Sequence, residues 1–146
     1  MSPVTRPAAP RECSVAGALD VVGEKWSLLV VRELLLGCRR FNDIAANTGA
    51  PRDILTSRLR RLEDLGVVER RAYSERPPRH EYVLTGAGRD LRPVIMTLKH
   101  WGDQHVMHRH MPPVLEHSCG ATFEPKVACA ACGEPVGRGS LVRQDG

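Results

Sequence analysis

Four residues near the end of the chain have the types and spacing of a metal-binding set. Cys129 and Cys132 are separated by two residues, and Cys119 precedes Cys129 by nine intervening residues. Tetrahedral Zn²⁺ prefers thiolate and imidazole ligands, so His117 is the expected fourth member. Four protein ligands leave no open position for water, and we therefore expect one structural zinc without hydrolytic chemistry.

Two other states of these cysteines also fit the sequence. The tail could stay reduced without metal, or Cys119 could form a disulfide with Cys129 or Cys132. The spacing from His117 to Cys119 is short for two ligands of one ion. Zinc, a reduced tail and a disulfide therefore remain as alternatives.

The motifs of common enzyme classes are missing from the sequence. The Cys-x-x-Cys pair does not lie in the strand-helix-strand pattern of a thioredoxin-like site. The chain also lacks a glycine-rich phosphate loop, a Gly-x-Ser-x-Gly elbow and the paired signatures of zinc deaminases. We expect no enzymatic activity.

A separate cysteine, Cys13, lies immediately before the first predicted helix. The partial positive charge of a helix N-terminus favours a thiolate, so Cys13 is a candidate redox sensor. The alternative is a small, half-buried residue in a subunit interface. Cys38, beside Arg39 and Arg40, is a weaker candidate of the same kind.

Arginines dominate the middle of the chain. Eight arginines and no lysine lie between Arg52 and Arg79, together with five acidic residues. The planar guanidinium suits phosphates and guanine edges better than an ammonium does. The net charge of the whole chain is only +4, so the placement of the arginines matters more than their total. A solvated helix face is the alternative explanation.

A helix is predicted over 51–65, from Pro51 to the residue before Gly66. Leu55, Leu59 and Leu62 recur at i, i+4 and i+7 and give this helix one apolar face. The opposite face is polar and basic, which suits an acidic partner such as DNA. It carries Thr56, Ser57, Arg60 and Arg61.

A shorter helix around 44–47 and a glycine-containing turn precede this segment, which matches helix-turn-helix spacing. A hairpin is predicted after it, with strands over 67–72 and 81–84 and a loop over 73–79. Pro77 and Pro78 should hold the loop extended along a DNA backbone or in a minor groove. The predicted DNA contacts are Arg52, Thr56, Ser57, Arg60, Arg61, Arg76 and Arg79.

Further helices are predicted on both sides of this core. Ser14 should cap a helix that ends at Gly23, and Ser27 should cap a mostly apolar helix over 28–36. Thr85 should cap a short turn, and Pro93 should open a longer helix. The stripe on that last helix could pack within one subunit or pair two subunits. It consists of Val94, Ile95, Leu98 and Trp101.

Four runs of sequence together resemble the HxlR-type branch of winged-helix transcriptional regulators, within the MarR-like group. They are ALDVVGEKWSLLVVRELLLGCRRFNDI, LTSRLRRLEDLGVVERR, EYVLTGAGRDL and LKHWGDQH. The likeness covers roughly 13–105 and includes a Gly-x-Lys-Trp element that begins at Gly23 and a Thr-x-x-Gly element that begins at Thr85. The resemblance implies a dimeric DNA-binding repressor or activator whose terminal helices pair the subunits.

The expected fold is therefore α+β and mainly α, a winged helix-turn-helix with dimerising terminal helices and a small cysteine-containing tail. A chain of 146 residues with 42% hydrophobic and 26% charged residues has an ordinary globular composition. We expect a flexible arm over 1–12, a DNA-binding and dimerisation domain over 13–111 and the tail over 112–146. With no apolar signal segment in the sequence, a cytoplasmic location is expected.

The predicted function is a homodimeric, sequence-specific regulator that responds to an unknown small molecule or oxidant. The helix over 51–65 should enter the major groove and the wing over 67–84 should contact the backbone or minor groove. The alternative is a protein-binding adaptor that uses a winged helix without reading DNA. An adaptor would not need arginines on both the helix and the wing.

Overall fold

The computed structural model describes residues 12–107 and 112–144. Its architecture is α+β and mainly helical, as predicted. Two compact units divide between Arg89 and Asp90, so the predicted boundary between 111 and 112 falls inside the second unit. Most of the predicted arm over 1–12 lies outside the described residues. Among those that are described, no helix has the length and apolar character needed to span a membrane.

The first unit contains five helices and one antiparallel hairpin within its described residues. In chain order they are α1 (Ser14–Val22), α2 (Ser27–Leu35), α3 (Phe41–Thr48), α4 (Arg52–Asp64), β1 (Val68–Glu75), β2 (Pro78–Leu84) and α5 (Gly86–Arg89). The predicted apolar face of α4 is confirmed, because Leu55, Leu59 and Leu62 are almost completely buried. Val30, Val31 and Ile44 from α2 and α3 are buried with no exposed surface.

Two predicted helix caps are wrong. Cys13 is the N-cap of α1, and Ser14 is already the first helical residue. Ser27 is likewise inside α2 and buried, with Trp26 as the N-cap. The backbone before α2 is already turned, because the Ser27 N–H donates to the Glu24 carbonyl oxygen at 3.0 Å. Because this turn already leads into the helix, Ser27 lies one residue past the N-cap position.

The wing is longer than predicted. Residues 73–79, expected to form an extended loop, belong mostly to the two strands. Ala72 pairs with His80, a bulge follows, and Ser74 then pairs with Arg79. The bulge absorbs the extra residue and lets pairing continue. Only Arg76 and Pro77 connect the strands.

Thr85 and Gly88 fasten the base of the wing to the end of α4. The Thr85 hydroxyl donates to the Gly66 carbonyl oxygen at 2.6 Å and accepts the Gly88 N–H at 3.2 Å. This confirms Thr85 as the predicted cap. A Cβ at Gly88 would lie 2.3 Å from the Val67 carbonyl oxygen, so only glycine allows this approach. The Thr-x-x-Gly element therefore joins the connection after α4 to the connection after β2, and we call this joined element the clasp.

The second unit contains α6 (Arg92–His105) and two short hairpin turns among its described residues. Pro93 lies at the beginning of α6, as predicted. The first turn is closed by a bridge between Glu116 and Thr122, and the second by one between Ala128 and Pro135. These two turns carry the cysteines of the tail.

Candidate nucleic-acid interface

The turn between α3 and α4 is held by its own hydrogen bonds. The Thr48 hydroxyl donates to the Ile44 carbonyl oxygen at 2.6 Å and accepts the Ala50 N–H at 3.2 Å. Gly49 ends α3 at φ +74°, in the left-handed region that favours glycine. Pro51 then lies at the N-cap position of α4, and its φ of −55° is near the helical value. The angle at which α4 leaves α3 is thus set by local chemistry.

A buried carboxylate joins α2 to α3. Glu33 is 3% exposed, and its two oxygens accept hydrogen bonds of 2.9 Å from Arg32 Nε and Asn47 Nδ2. A desolvated carboxylate is tolerated when charged and amide donors satisfy it. Sequence reasoning missed this contact, although a glutamate inside the apolar α2 was a visible signal.

Cys38 lies at the edge of this contact, 3.4 Å from Asn47 Nδ2. Desolvation, with a smaller contribution from the hydrogen bond and negative charge of Glu33, raises the pKa of the Cys38 thiol. A raised pKa reduces the thiolate fraction near neutral pH. Cys38 is therefore a poor candidate for a redox sensor.

The polar face of α4 is exposed and forms a shallow depression. Thr56, Ser57, Arg60 and Arg61 line it, as their predicted role requires, together with Asp53 and Asp64. Arginines can donate to guanine edges, and carboxylates can accept from cytosine amino groups. The face therefore offers both donors and acceptors to base edges.

Ion pairs separate the arginines of the first unit into two groups. The paired group comprises Arg32 with Glu33, Arg39 with Glu81, Arg58 with Glu24, Arg70 with Glu63 and Arg71 with Glu69. Within the ranges that the structure describes, the guanidinium groups of Arg60, Arg76 and Arg79 form no hydrogen bond or ion pair. These three side chains are available to an external anion.

The pair of Arg71 and Glu69 is the clearest example of an arginine whose charge is already neutralised by a carboxylate. Both guanidinium contacts to the carboxylate are 3.2 Å long. The hydrogen bonds from Arg71 lower the pKa of Glu69, so the carboxylate stays ionised at neutral pH. Arg71 therefore differs from Arg79 on the same hairpin in being neutralised by a neighbour.

Two other predicted contacts, Arg52 and Arg61, are positioned by neutral groups. Arg52 donates to Asn42 Oδ1 at 2.8 Å, and its guanidinium lies 4.8 Å from the centre of the Phe41 ring. Arg61 donates to the Asp20 carbonyl oxygen at 2.9 Å. A guanidinium has five N–H donors, so both retain donors for a ligand.

A notch of about 430 Å³ lies between the wing and the beginning of α3. Arg40 lines it, with its guanidinium 4.7 Å from the centre of the Tyr73 ring. Arg79 and His80 line it as well. We call this the wing notch; it is also lined by Phe41, Asn42 and Asp43. Sequence reasoning missed Arg40 and His80, because their proximity depends on how the hairpin folds back.

One backbone contact and one ion pair hold the wing beside the segment that precedes α3. The Tyr82 N–H donates to the Arg39 carbonyl oxygen at 2.8 Å. The Arg39 guanidinium also lies 3.7 Å from a Glu81 oxygen. Because the backbone of residue 39 is tied to β2, the next residue, Arg40, is placed beside the hairpin.

All five cysteines are free thiols and lie within the described ranges. Cys13 is exposed at the beginning of α1. Cys119 lies on the first hairpin turn of the second unit, and Cys129 and Cys132 lie on the second. Hydrogen bonds from the backbone N–H groups of Cys132 and Ala131 lower the pKa of Cys129.

The predicted zinc ligands are not gathered around one point. In the parts of the chain that the structure describes, no three His, Cys, Asp or Glu side chains are grouped so as to hold a metal ion. His117 and Cys119 share one turn, and Cys129 and Cys132 share the other. The donor types suit zinc, but this arrangement supplies only two at a time, and zinc stays a prediction.

Comparisons with family models and with known proteins both match helix-turn-helix proteins. A family model described as HxlR-like helix-turn-helix matches residues 21–110. The HTH-type transcriptional regulator MT3179 of Mycobacterium tuberculosis is 47% identical over 125 residues, which cover 84% of this chain and 79% of that protein.

Two similar solved structures are those of a transcription factor and of a redox regulator. PA1607, assigned as a transcription factor, has a TM-score of 0.77 at 32% identity, covering 92% of this chain and 96% of its own. The oxidised form of the redox regulator HypR has a TM-score of 0.59 at 37% identity, covering 64% of this chain and 97% of its own.

Proposed function

The chain belongs to the HxlR-like helix-turn-helix family of transcriptional regulators, and from that premise we propose that it reads a specific DNA sequence as a homodimer. The observation that carries the proposal is the division among the arginines. Carboxylates neutralise Arg70 and Arg71 on the wing, whereas Arg60 on α4 and Arg79 on the wing have no such partner within the described ranges. A winged-helix protein that binds DNA needs positive charge on both its recognition helix and its wing.

In this proposal α4 enters the major groove and the hairpin follows the backbone. Arg60 and Ser57 face base edges from the exposed side of α4. Arg52, Arg76 and Arg79 contact phosphates, which fixes the position of the protein without reading sequence. A protein-binding adaptor is the second candidate, but the unneutralised arginines favour a polyanion.

The second subunit pairs through the apolar stripe of α6. Val94, Leu98 and Trp101 are 49%, 51% and 57% exposed, whereas Ile95 is buried. Three large apolar side chains in one row on an exposed helix are typical of a protein interface. A two-fold dimer would bind a pseudo-palindrome with half-sites about 10 bp apart.

The regulatory signal is an oxidant that acts on Cys13. This thiol is exposed at the beginning of α1, and one similar structure is a protein named as a redox regulator. Oxidation of Cys13 at a helix end would alter the spacing of the two reading helices in the dimer.

Binding to mixed genomic DNA over a salt series tests the class of function. Affinity that falls steeply with salt supports DNA binding, whereas no salt-dependent binding would favour the adaptor. Selection of a preferred sequence then allows Arg60→Ala to be measured against Arg89→Ala, which removes the same charge elsewhere in the first unit.

Arg60→Ala should reduce discrimination between bases by about 1–3 kcal/mol at one position of each half-site. Arg89→Ala should leave discrimination unchanged, because Arg89 donates to the Leu84 carbonyl oxygen at 2.9 Å and lies outside α4. An Arg60→Ala protein with the base preference of the wild type would exclude the proposed reading face.

A further inference from the structure

The second hairpin turn of the tail brings two thiols together. The Gly133 N–H donates to the Cys129 carbonyl oxygen at 2.7 Å, and the Cys129 N–H donates to the Glu134 carbonyl oxygen at 2.9 Å. Gly133 has a φ of +75°, which lets the chain reverse immediately after Cys132. The turn therefore holds Cys129 and Cys132 on one short, closed loop.

Two residues, Ala130 and Ala131, separate the thiols of Cys129 and Cys132 within this loop. Two thiols at this spacing on one closed turn can approach to the distance that a disulfide needs. Both side chains are exposed, so a small reagent can reach them from solvent.

The first hairpin turn has a similar backbone but different chemistry. The Gly120 N–H donates to the His117 carbonyl oxygen at 2.8 Å, and Gly120 has a φ of +88°. Its only thiol, Cys119, donates its backbone N–H to His117 Nδ1 at 3.3 Å. No third ligand joins either pair among the described residues. The second turn therefore differs from the first in holding two thiols.

We propose that Cys129 and Cys132 form a two-electron redox site, which a hydroperoxide converts from a dithiol into a disulfide within the turn. This site is separate from Cys13 and does not depend on DNA binding. Reactive cysteines are often exposed and paired with a resolving thiol, and this turn has both features.

The reaction proceeds in two balanced steps. The Cys129 sulfur attacks the terminal oxygen of the hydroperoxide, so an S–O bond forms, the O–O bond breaks and the leaving oxygen departs as an alcohol or water after protonation. The Cys132 sulfur then attacks the Cys129 sulfur, so an S–S bond forms and water leaves. Two thiols lose two electrons and two protons, and the peroxide is reduced.

Peptide mass spectrometry on the full chain tests the proposal directly. Trypsin cleaves after Lys126 and Arg138, so one peptide over 127–138 contains both thiols and no other cysteine. After brief hydrogen peroxide treatment and maleimide alkylation, this peptide should be unalkylated and lighter by two hydrogen atoms. Dithiothreitol should restore two alkylation sites.

Three variants sharpen the test. Cys132→Ser should leave a sulfenic acid on Cys129 that a dione reagent captures, because the resolving thiol is gone. Cys13→Ser and Cys119→Ser should both form the same disulfide at the wild-type rate. These variants separate the turn from the other exposed thiols.

Three results would overturn the proposal. The peptide over 127–138 could still accept two alkyl groups after peroxide, or it could be cross-linked to the peptide that contains Cys119. Alternatively, metal analysis could find about one zinc per chain, with alkylation of this peptide blocked until a chelator is added. That last result would assign the turn to a structural metal site.

Discussion

Replacement of Arg40 by alanine tests whether the wing notch binds a DNA phosphate. Its guanidinium lies over the Tyr73 ring, and Arg79 and His80 line the same notch. Among the residues that the structure describes, Arg40 forms no ion pair, so its charge is not already neutralised. Two arginines that line one notch can bind the same phosphate.

The expected magnitude follows from counterion release. Each lost phosphate contact reduces the slope of log K against log salt by about 0.9 for duplex DNA. A dimer loses two contacts, so the slope should become shallower by about 1.8. Between about 50 and about 200 mM salt, the ratio of wild-type to Arg40→Ala affinity should therefore shrink by about 12-fold.

Arg71→Ala is the matched control for this measurement. It removes the same charge from a side chain on the wing, but Arg71 is already bound to Glu69 at 3.2 Å. Fluorescence anisotropy on one operator duplex at several salt concentrations gives both slopes, and the Arg71→Ala slope should match that of the wild type. Equal changes in the two variants would show that only overall charge matters, and an unchanged Arg40→Ala slope would remove the notch from the interface.

Three further outcomes are expected. Leu98→Lys should raise the dimer dissociation constant on the order of 100-fold or more, because a large apolar side chain is lost twice in a two-fold interface; light scattering would show monomers, while the control Thr97→Lys stays dimeric. Cys13→Ser should keep its operator affinity under mild peroxide that weakens the wild type, and an equal loss in both would exclude Cys13 as the sensor. Gly88→Ala should lower the free energy of unfolding by about 1–3 kcal/mol in urea titration, because its Cβ would meet the Val67 carbonyl oxygen; wild-type stability would contradict the clasp.

The sequence was sufficient wherever one element determines its own shape. The leucine spacing predicted the buried face of α4, because helical periodicity is a local property. The wing loop was predicted wrongly because proline and charge at 73–79 resemble a loop, whereas pairing with the partner strand extends β1 and β2. The cap prediction at Ser27 failed because the turn from Glu24 already places Ser27 inside the helix.

The arrangement of charges could not be predicted from one segment at a time. Arg71 and Arg79 are equivalent in the sequence, and only the fold shows that Glu69 neutralises one and not the other. The Glu33 contact similarly depends on Asn47, a residue of another helix. The wing notch needs Arg40 and the hairpin to meet in space. Which arginines are available to DNA is therefore a property of the tertiary structure.

The clasp at Thr85 has a consequence for how a signal can act on DNA binding. Its hydroxyl and the close approach of Gly88 tie the connection after α4 to the connection after β2. The reading helix α4 and the wing should therefore move together as one rigid body. A regulatory signal cannot then weaken the phosphate contacts of the wing while the base contacts of α4 stay in place. Regulation would instead change the distance between the rigid bodies of the two subunits, and operators with a changed distance between half-sites should respond to the oxidant differently.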